Sequence, residues 1–317
     1  MNGVYNWSGT HVPPVSRFRN KLLAAVPVAL LGYLSHRTRL RGLLFDRPAL
    51  RTRDSWRRIS STPGAENGYS PQGITYADDE LLFTNHWHGD RSCLYRLDPK
   101  TGDIEASSMM PSEATHTSGL AWDDESLWAV DHGSNYLYEL DPEASLSSDR
   151  VHVKDTFETG LSGSSALTRI EVDGDSFLAL SDFLWTIETD LPLPLGTART
   201  YVFRPEELGP GRTVPECAEL TYSNGGYSQG LAWDGEHLFE SVNVIGTNRI
   251  DIRDVAGGLR GNGRSADRIG SLEAPGYFVE DLTTDGSSIW TSDEHSYSLY
   301  ELPSLDRIVR RALPVPE

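Results

Sequence analysis

The sequence of 317 residues predicts an all-β fold, a five-bladed β-propeller of four-stranded antiparallel blades with a short N-terminal helical arm. Three observations predict it. The chain repeats itself five times, each repeat holds an Asp-rich turn between two apolar strands, and no long amphipathic helical pattern follows residue 58. A fixed period of strand–turn–strand units is the mark of a radial array, in which each unit buries its faces against its neighbours.

The repeats share one register: QGITYADDELLF (72–83), SGLAWDDESLWA (118–129), TRIEVDGDSFLA (168–179), QGLAWDGEHLFE (229–240) and EDLTTDGSSIWT (280–291). In each, one apolar residue is followed seven positions later by another: Ile74/Leu81, Leu120/Leu127, Ile170/Phe177, Leu231/Leu238 and Leu282/Ile289. Three turns read Asp-Gly, at Asp173-Gly174, Asp234-Gly235 and Asp285-Gly286, which predicts type I′ hairpins with positive φ. Third strands follow as LYRLDP (94–99), LYELDP (137–142), YVFRP (201–205), RIDIRD (249–254) and LYELP (299–303), and fourth strands are weaker, as in IEASSM (104–109). The anchors recur at intervals of 46, 50, 61 and 51 residues, the length of one four-stranded blade. Two segments fit the missing fourth strand of the last blade, WRRIS (56–60) and DRIVRRAL (306–313). If the first fills it, the two chain ends close the ring and no free sheet edge remains. The expected division is an arm over 1–55 and a propeller over 56–317.

Charge divides the chain in the same place. Residues 1–58 hold eleven Arg or Lys against Asp46 and Asp54, whereas the remainder holds 44 acids against 17 bases, with only Lys100 and Lys154 as lysines. Such a body repels itself in dilute buffer, and salt relieves that repulsion. The composition therefore suggests a halophilic protein from a high-salt cytoplasm or brine. It also argues against nucleic acid as a partner, since phosphate binding needs a basic face. Cys93 and Cys217 stand 124 residues apart outside any CxxC spacing and are expected as separate buried thiols.

The arm contains the one strongly apolar run, LLAAVPVALLGYL (22–34). Thirteen residues of helix span about 20 Å, short of the roughly 30 Å bilayer core. Arg17, Arg19 and Lys21 precede the run and Arg37, Arg39 and Arg41 follow it, with no A-x-A site, which argues against a cleaved leader. Residues 17–45 are expected to touch a membrane surface or a protein, in the cytoplasm or at a membrane.

Propeller geometry brings the loop entering strand one and the loop leaving strand two to one face. Gln72, Ser118, Thr168, Gln229 and Glu280 stand two residues before the anchors, and Asn85, His86, Asp131, His132, Ser181, Asp182, Asn243, Asp293 and Glu294 leave strand two. His88, His116 and His295 fall in the same loops. A polar funnel for a peptide or small molecule is expected there. The repeats also expose an anomaly. The slot two residues past the strand-two anchor is Phe83, Ala129, Ala179 and Thr291 in four copies and Glu240 in the fourth. A carboxyl in that slot, near Glu280, Asp281, Asp293 and Glu294, is expected to have a raised pKa suited to proton transfer.

Tyr227-Ser228-Gln229-Gly230-Leu231, followed by Phe239-Glu240-Ser241 and Gly246, resembles the glutamine cyclotransferase family of plant-type glutaminyl cyclases. The resemblance implies a five-bladed propeller without a cofactor that cyclises N-terminal glutamine to pyroglutamate and releases ammonia, an acyltransferase reaction. Glu240 would carry the proton between amine and leaving group. Gln229 and Asn243 would hold the substrate amide, and Tyr227, Phe239 and Trp185 would form an apolar wall, with Gln72 and Asp293 completing the binding set. Two other readings stay open. Glu240, Asn243, Asp131, Asp182 and Asp293 could hold Ca²⁺ or another divalent cation for lactone or ester hydrolysis, or the propeller could be a non-catalytic binding scaffold.

Overall fold

Alternating apolar residues in strands of three to nine residues, separated by Asp- and Gly-rich turns, sort the chain into five antiparallel sheets. The computed structural model describes residues 49–87, 91–183, 198–224, 227–244, 247–261 and 266–313. The basic arm, its apolar run 22–34 and the expected contact segment 17–45 lie outside the described residues. Among those described, no helix is long and apolar enough to cross a membrane.

Blade one is β2 (Ser70–Ala77), β3 (Glu80–Trp87), β4 (Arg91–Leu97) and β5 (Ile104–Met109). Blade two is β6 (Thr117–Trp122), β7 (Leu127–Asp131), β8 (Tyr136–Asp141) and β9 (His152–Glu158). Blade three comprises β10 (Ser164–Val172), β11 (Asp175–Asp182), β12 (Arg199–Phe203) and β13 (Ala218–Ser223). In blade four the strands are β14 (Leu231–Trp233), β15 (Leu238–Val244), β16 (Thr247–Asp254) and β17 (Asp267–Glu273). Blade five takes β18 (Val279–Thr284), β19 (Ser288–Asp293) and β20 (Ser298–Pro303) from the C-terminal end and β1 (Arg57–Ser61) from the N-terminal end. Short helices α1 (Pro142–Leu146), α2 (Val214–Cys217) and α3 (Val255–Arg260) decorate the outer connections, and α4 (Leu305–Ala312) follows the last strand.

The closure question is thereby answered. WRRIS pairs with β20, Arg57 opposite Glu301 and Ser61 opposite Ser298, and the Arg57 guanidinium bonds the Glu301 carboxylate. DRIVRRAL is helical instead. Leu305, Ile308 and Val309 form a stripe at i, i+3 and i+4 that packs on Trp56 and Leu272, while Arg310 and Arg311 face outward. The segment before β1 also belongs to the propeller. Leu50 bridges Leu272, Thr52 Oγ1 donates to the Glu273 carbonyl (2.7 Å), and Trp56 Nε1 donates to the same oxygen (3.0 Å). Among the described residues, contacts with the propeller thus include Leu50 and Thr52, ahead of the boundary expected at 56.

Apolar side chains fill the seams between blades. Leu94, Leu120 and Tyr138 sit between blades one and two, and Leu178 and Val130 between two and three. Ile170 and Leu231 join three to four, Phe239 and Leu282 four to five, and Phe83 and Trp290 five to one. Each blade thus depends on both neighbours. Cys217 is buried, and Cys93, half-buried beside Met109, is likewise a free thiol.

Two details differ from the sequence pattern. Of the three Asp-Gly turns, only Asp173-Gly174 has both residues at positive φ (56° and 87°); the other tight turn of this kind is Asp78-Asp79 (48° and 67°). At Asp234 and Asp285 the loop is longer, and the Asp carboxylate accepts two backbone N–H groups of the turn, His237 N and Glu236 N in one case and Ser287 N and Ser288 N in the other. The second detail concerns blade three, where β10 and β11 run further before turning. Leu167 there follows the bulge, as Ile74, Leu120 and Leu282 do in theirs. The anchor is therefore Leu167 rather than Ile170, and the polar residue two before it is Ser165 rather than Thr168.

Candidate functional site

Four of the five inner strands carry a β-bulge at the same height: between Pro71 and Ile74, Thr117 and Gly119, Ser164 and Leu167, and Val279 and Leu282. A bulge leaves a residue unpaired and re-aims its side chain. Blade four reaches the same height differently, with Gln229 N donating to Ser241 Oγ (3.2 Å) and Ser241 N to the Gly230 carbonyl (2.8 Å). The outcome is a polar ring about the axis, made of Gln72, Ser118, Ser165, Gln229 and Glu280, around a cavity of about 50 Å³.

One residue further along, four blades have Gly73, Gly119, Ala166 and Gly230, and the fifth has Asp281. The glycines are required by crowding. A Cβ at Gly119 would lie 2.6 Å from Leu167 N, and one at Gly230 would lie 2.7 Å from the Glu280 carbonyl. Asp281 fills the axis that the small residues leave. Its Oδ2 accepts from Ile74 N and Leu120 N (3.2 Å each), and its Oδ1 from Leu231 N (3.2 Å) and Leu282 N (2.9 Å). One carboxylate thus holds backbone donors from four blades. Burial pushes its carboxyl well up, and the four donors oppose that shift. Every bond it makes is accepted, which is the pattern of the ionised form.

Among the five residues of this ring, Glu280 has the one carboxyl. It is 1 % exposed. Its Oε2 accepts from Gln229 Nε2 (2.7 Å), and the Gln229 oxygen accepts in turn from Asn243 Nδ2 (2.9 Å). Asn243 is itself locked to the backbone, its Nδ2 donating to the Val279 carbonyl (2.6 Å) and its Oδ1 accepting from Val279 N (3.2 Å). Oε1 finds no donor among the described residues, and the Glu294 carboxyl lies within reach of the Glu280 carboxyl. Two carboxyls in hydrogen-bond reach are satisfied by sharing a proton. Burial, then Glu294, Asp281 and Asp293, raise the Glu280 pKa well above the ordinary range.

Above the ring runs an arc of π-faced side chains from four blades. His86 stacks on His116 (3.9 Å), His116 meets His132 (5.1 Å), His132 meets Phe183 edge-on (5.9 Å), and Phe183 meets Tyr227 (5.3 Å). Burial, together with His86 and His132, pulls the His116 pKa down to about 2, so its ring is neutral. Gln72 donates to the Pro71 carbonyl (2.6 Å), which leaves its oxygen to accept from His116 Nε2 (2.8 Å) and fixes that tautomer. His132 Nδ1 lies 3.1 Å from the Ser164 carbonyl, so Nδ1 carries a hydrogen there. Tyr227 sits at φ 50°, a backbone state that aromatic residues rarely take.

Glu240 does not join this ring. It is fully buried in blade four, its Oε2 accepting from Arg253 Nε (2.5 Å) and its Oε1 from Thr200 Oγ1 (3.1 Å). Arg253 is buried too, stacked 4.8 Å over the Tyr222 ring and donating to the Ala266 carbonyl. Burial raises the Glu240 pKa, with Arg253 opposing. An amine cannot reach a carboxyl closed off by a guanidinium. Glu240→Gln is accordingly expected to lower stability, because it leaves Arg253 buried without its counter-charge. Breaking such a pair costs about 3–5 kcal/mol, so a melting temperature equal to wild type would contradict this assignment.

Several other expected site residues also have different work. Phe239 is core between blades four and five. Asp293 Oδ1 accepts from Tyr277 N (3.0 Å) and Phe278 N (2.8 Å), and Oδ2 from Ser296 N (2.9 Å), which pins a loop. Asp131 does the same for His116 N (2.6 Å) and Ser134 N (2.7 Å). Asp182 ends β11 in blade three. The five candidate cation ligands are thus spread over separate tasks, and among the described residues no three His, Cys, Asp or Glu side chains form a metal cage. Trp185 and His88 lie outside the described residues, and His295 faces Tyr277 on the rim (5.8 Å). Sequence reasoning placed Glu280, His116 and His132 on the funnel face without giving them a role, and did not single out Phe183 or Ser165. The signal for the first was present: Glu280-Asp281 stands where other repeats read Gln-Gly or Ser-Gly.

No family model and no curated protein matches the chain. Among solved structures it is similar to the PQQ-bound aldose sugar dehydrogenase of Streptomyces coelicolor, at 17 % identity and a TM-score of 0.47 over 78 % of this chain and 79 % of that one. It is also similar to a chain of a nidogen/laminin complex, at 13 % identity and 0.45 over 74 % and 76 %. A third is a chain of Kuenenia stuttgartiensis hydrazine synthase, at 16 % and 0.39 over 78 % of this chain and 58 % of that one. These likenesses concern the propeller fold alone.

Proposed function

We propose that the upper axial pocket binds a small hydrogen-bond-donating group, a primary amine above all, and that Glu280 exchanges a proton with it. The observation that supports this most directly is the Glu280 carboxyl. One oxygen is fixed by Gln229, the other is buried without a donor among the described residues, and the Glu294 carboxyl stands within reach of the same group. An amine entering there supplies the missing donor, and the acid-rich rim favours its approach.

The reaction this chemistry fits is the one implied by the resemblance of Tyr227–Ser241, with Glu280 in the role first expected of Glu240. The α-amine nitrogen of a glutaminyl peptide attacks its own γ-carboxamide carbon. The new N–C bond forms, the C–NH₂ bond breaks, and ammonia leaves. Protonated Glu280 gives its proton to the leaving nitrogen, and the paired carboxylate takes the proton that the attacking amine loses. Gln229 and Asn243 position the acid rather than the substrate, since each is already spent on the other and on Glu280 or Val279. Incubation with a glutaminyl peptide tests this: ammonia should appear in step with pyroglutamyl product. Saturable peptide binding without ammonia would retain the amine site and remove the cyclisation, leaving a binding propeller. Absence of both would remove the reading entirely.

The acidic body supports a separate proposal, that the protein is built for salt. Its melting temperature should climb steeply between dilute buffer and molar KCl, because screening relieves repulsion among its 44 carboxylates. Indifference to salt would contradict it.

A further inference from the structure

The axis has a second end. Past Asp281 the inner strands continue toward the hairpin turns and open a larger pocket of about 430 Å³, to which all five blades contribute. We propose that this lower pocket binds a single sugar ring or a polyol of similar size.

Its size suits a small molecule, since ligand sites run from about 300 to 1,000 Å³. Its walls come from Tyr76, Trp122 and Trp233, three aromatic residues of three different blades. Tyr76 stacks on Trp290 at 5.3 Å, which leaves one face of its ring uncommitted to that pair. Aromatic faces accept the C–H-rich face of a pyranose, whose polarity lies around its edge.

Between the aromatic walls lies a fixed set of mixed donors and acceptors. Arg169 donates through Nη1 to Asp124 (2.5 Å), through Nη2 to Glu171 (3.4 Å) and through Nε to Ser176 Oγ (3.2 Å). A guanidinium has five N–H groups, so two remain for a ligand, beside carboxylates that still have lone pairs. Thr283 Oγ1 accepts from Tyr76 N (2.7 Å), and its own hydrogen has no acceptor among the described residues. Donor and acceptor held side by side match neighbouring hydroxyls, each of which both gives and takes a hydrogen bond.

The same features disfavour other occupants. Two carboxylates already surround the single Arg169 cation, so an anion finds no free charge. A quaternary ammonium offers nothing to Thr283 or Arg169. The two ends of the axis are also chemically independent, because Asp281 and the anchor residues fill the space between them.

The test is a titration of the full chain with glucose, galactose, mannose and methyl glucoside, followed by tryptophan fluorescence and calorimetry. At least one should bind saturably at millimolar concentration or below. Trp122→Ala and Trp233→Ala should each weaken it at least tenfold. Asp124→Asn should weaken it several-fold with an unchanged melting temperature, since Asn tolerates the φ of 76° at that position. Glu280→Gln should leave sugar binding unaltered. Three results would overturn the proposal: no saturable binding of any of the four, binding indifferent to both Trp122→Ala and Asp124→Asn, or tighter Trp122-dependent binding of tetramethylammonium or adenosine.

Discussion

Asp281→Asn is expected to lower the melting temperature by about 10 °C or more. Asn keeps the shape but offers one oxygen where the carboxylate offers two. Its amide nitrogen would then face two backbone N–H groups. From Ile74, Leu120, Leu231 and Leu282, two donors lose their acceptor and meet a third donor. Each unmet buried donor costs about 1–3 kcal/mol, and a domain of this kind has only about 5–15 kcal/mol in total. The effect is also cooperative in space, because the four donors belong to four blades. Thermal unfolding of the variant by circular dichroism provides the check. A shift of only a degree or two would mean that the seams between blades hold the ring without its central carboxylate.

Glu280→Gln is expected to remove turnover of a glutaminyl peptide by about 10²–10⁴-fold, the usual contribution of a general acid–base group. It should also remove a pH dependence. Because the folded Glu280 pKa is raised, the stability this group contributes is full below its unfolded value of 4.5. It is lost as pH rises through the folded value, where a second negative charge is forced beside Glu294. Wild type should therefore lose stability relative to Glu280→Gln as pH increases above about 4.5. The Gln amide can still accept from Gln229 and can donate to Glu294, so the variant should fold. Melting curves of both proteins across that range, alongside ammonia release, separate catalysis from structure. Parallel pH profiles would show that Glu280 ionises as an ordinary surface acid does.

Much of the fold was legible because a propeller repeats its physics. An apolar anchor, a tight turn and a second anchor recur in each blade, so five weak patterns reinforce each other. The misplaced anchor in blade three has a simple cause. Alignment on the Asp173-Gly174 turn assumes equal strand lengths, and β10 is longer past its bulge than the other inner strands. The two candidate closing strands were ambiguous because both are short segments that mix arginines with apolar residues; the choice depended on pairing of Arg57 with Glu301 and on the helical stripe Leu305, Ile308, Val309, which involve distant partners.

The site was legible as a ring and not as a chemistry. Comparison of repeats correctly marked Glu240 as anomalous, but a carboxyl out of place signals a buried cation as readily as a catalytic site. Its partner, Arg253, sits on the next strand, where the pattern of strand two does not reach. The same comparison applied two residues before the anchor separates Glu280-Asp281 from the Gln-Gly and Ser-Gly of other blades. That pair divides its labour. Asp281, facing four donors, bonds the backbone of four blades, while Glu280, facing one donor and one acid, is the member proposed to exchange a proton.

The central claim is that Glu280 carries a proton at neutral pH inside the axial pocket. Infrared difference spectroscopy of wild type against Glu280→Gln tests it directly. The account predicts a carbonyl stretch of a protonated carboxylic acid at pH 7 in the wild type, absent from the variant and displaced when a glutaminyl peptide is added. A wild-type spectrum without that band, or one that Glu280→Gln leaves unchanged, would contradict it.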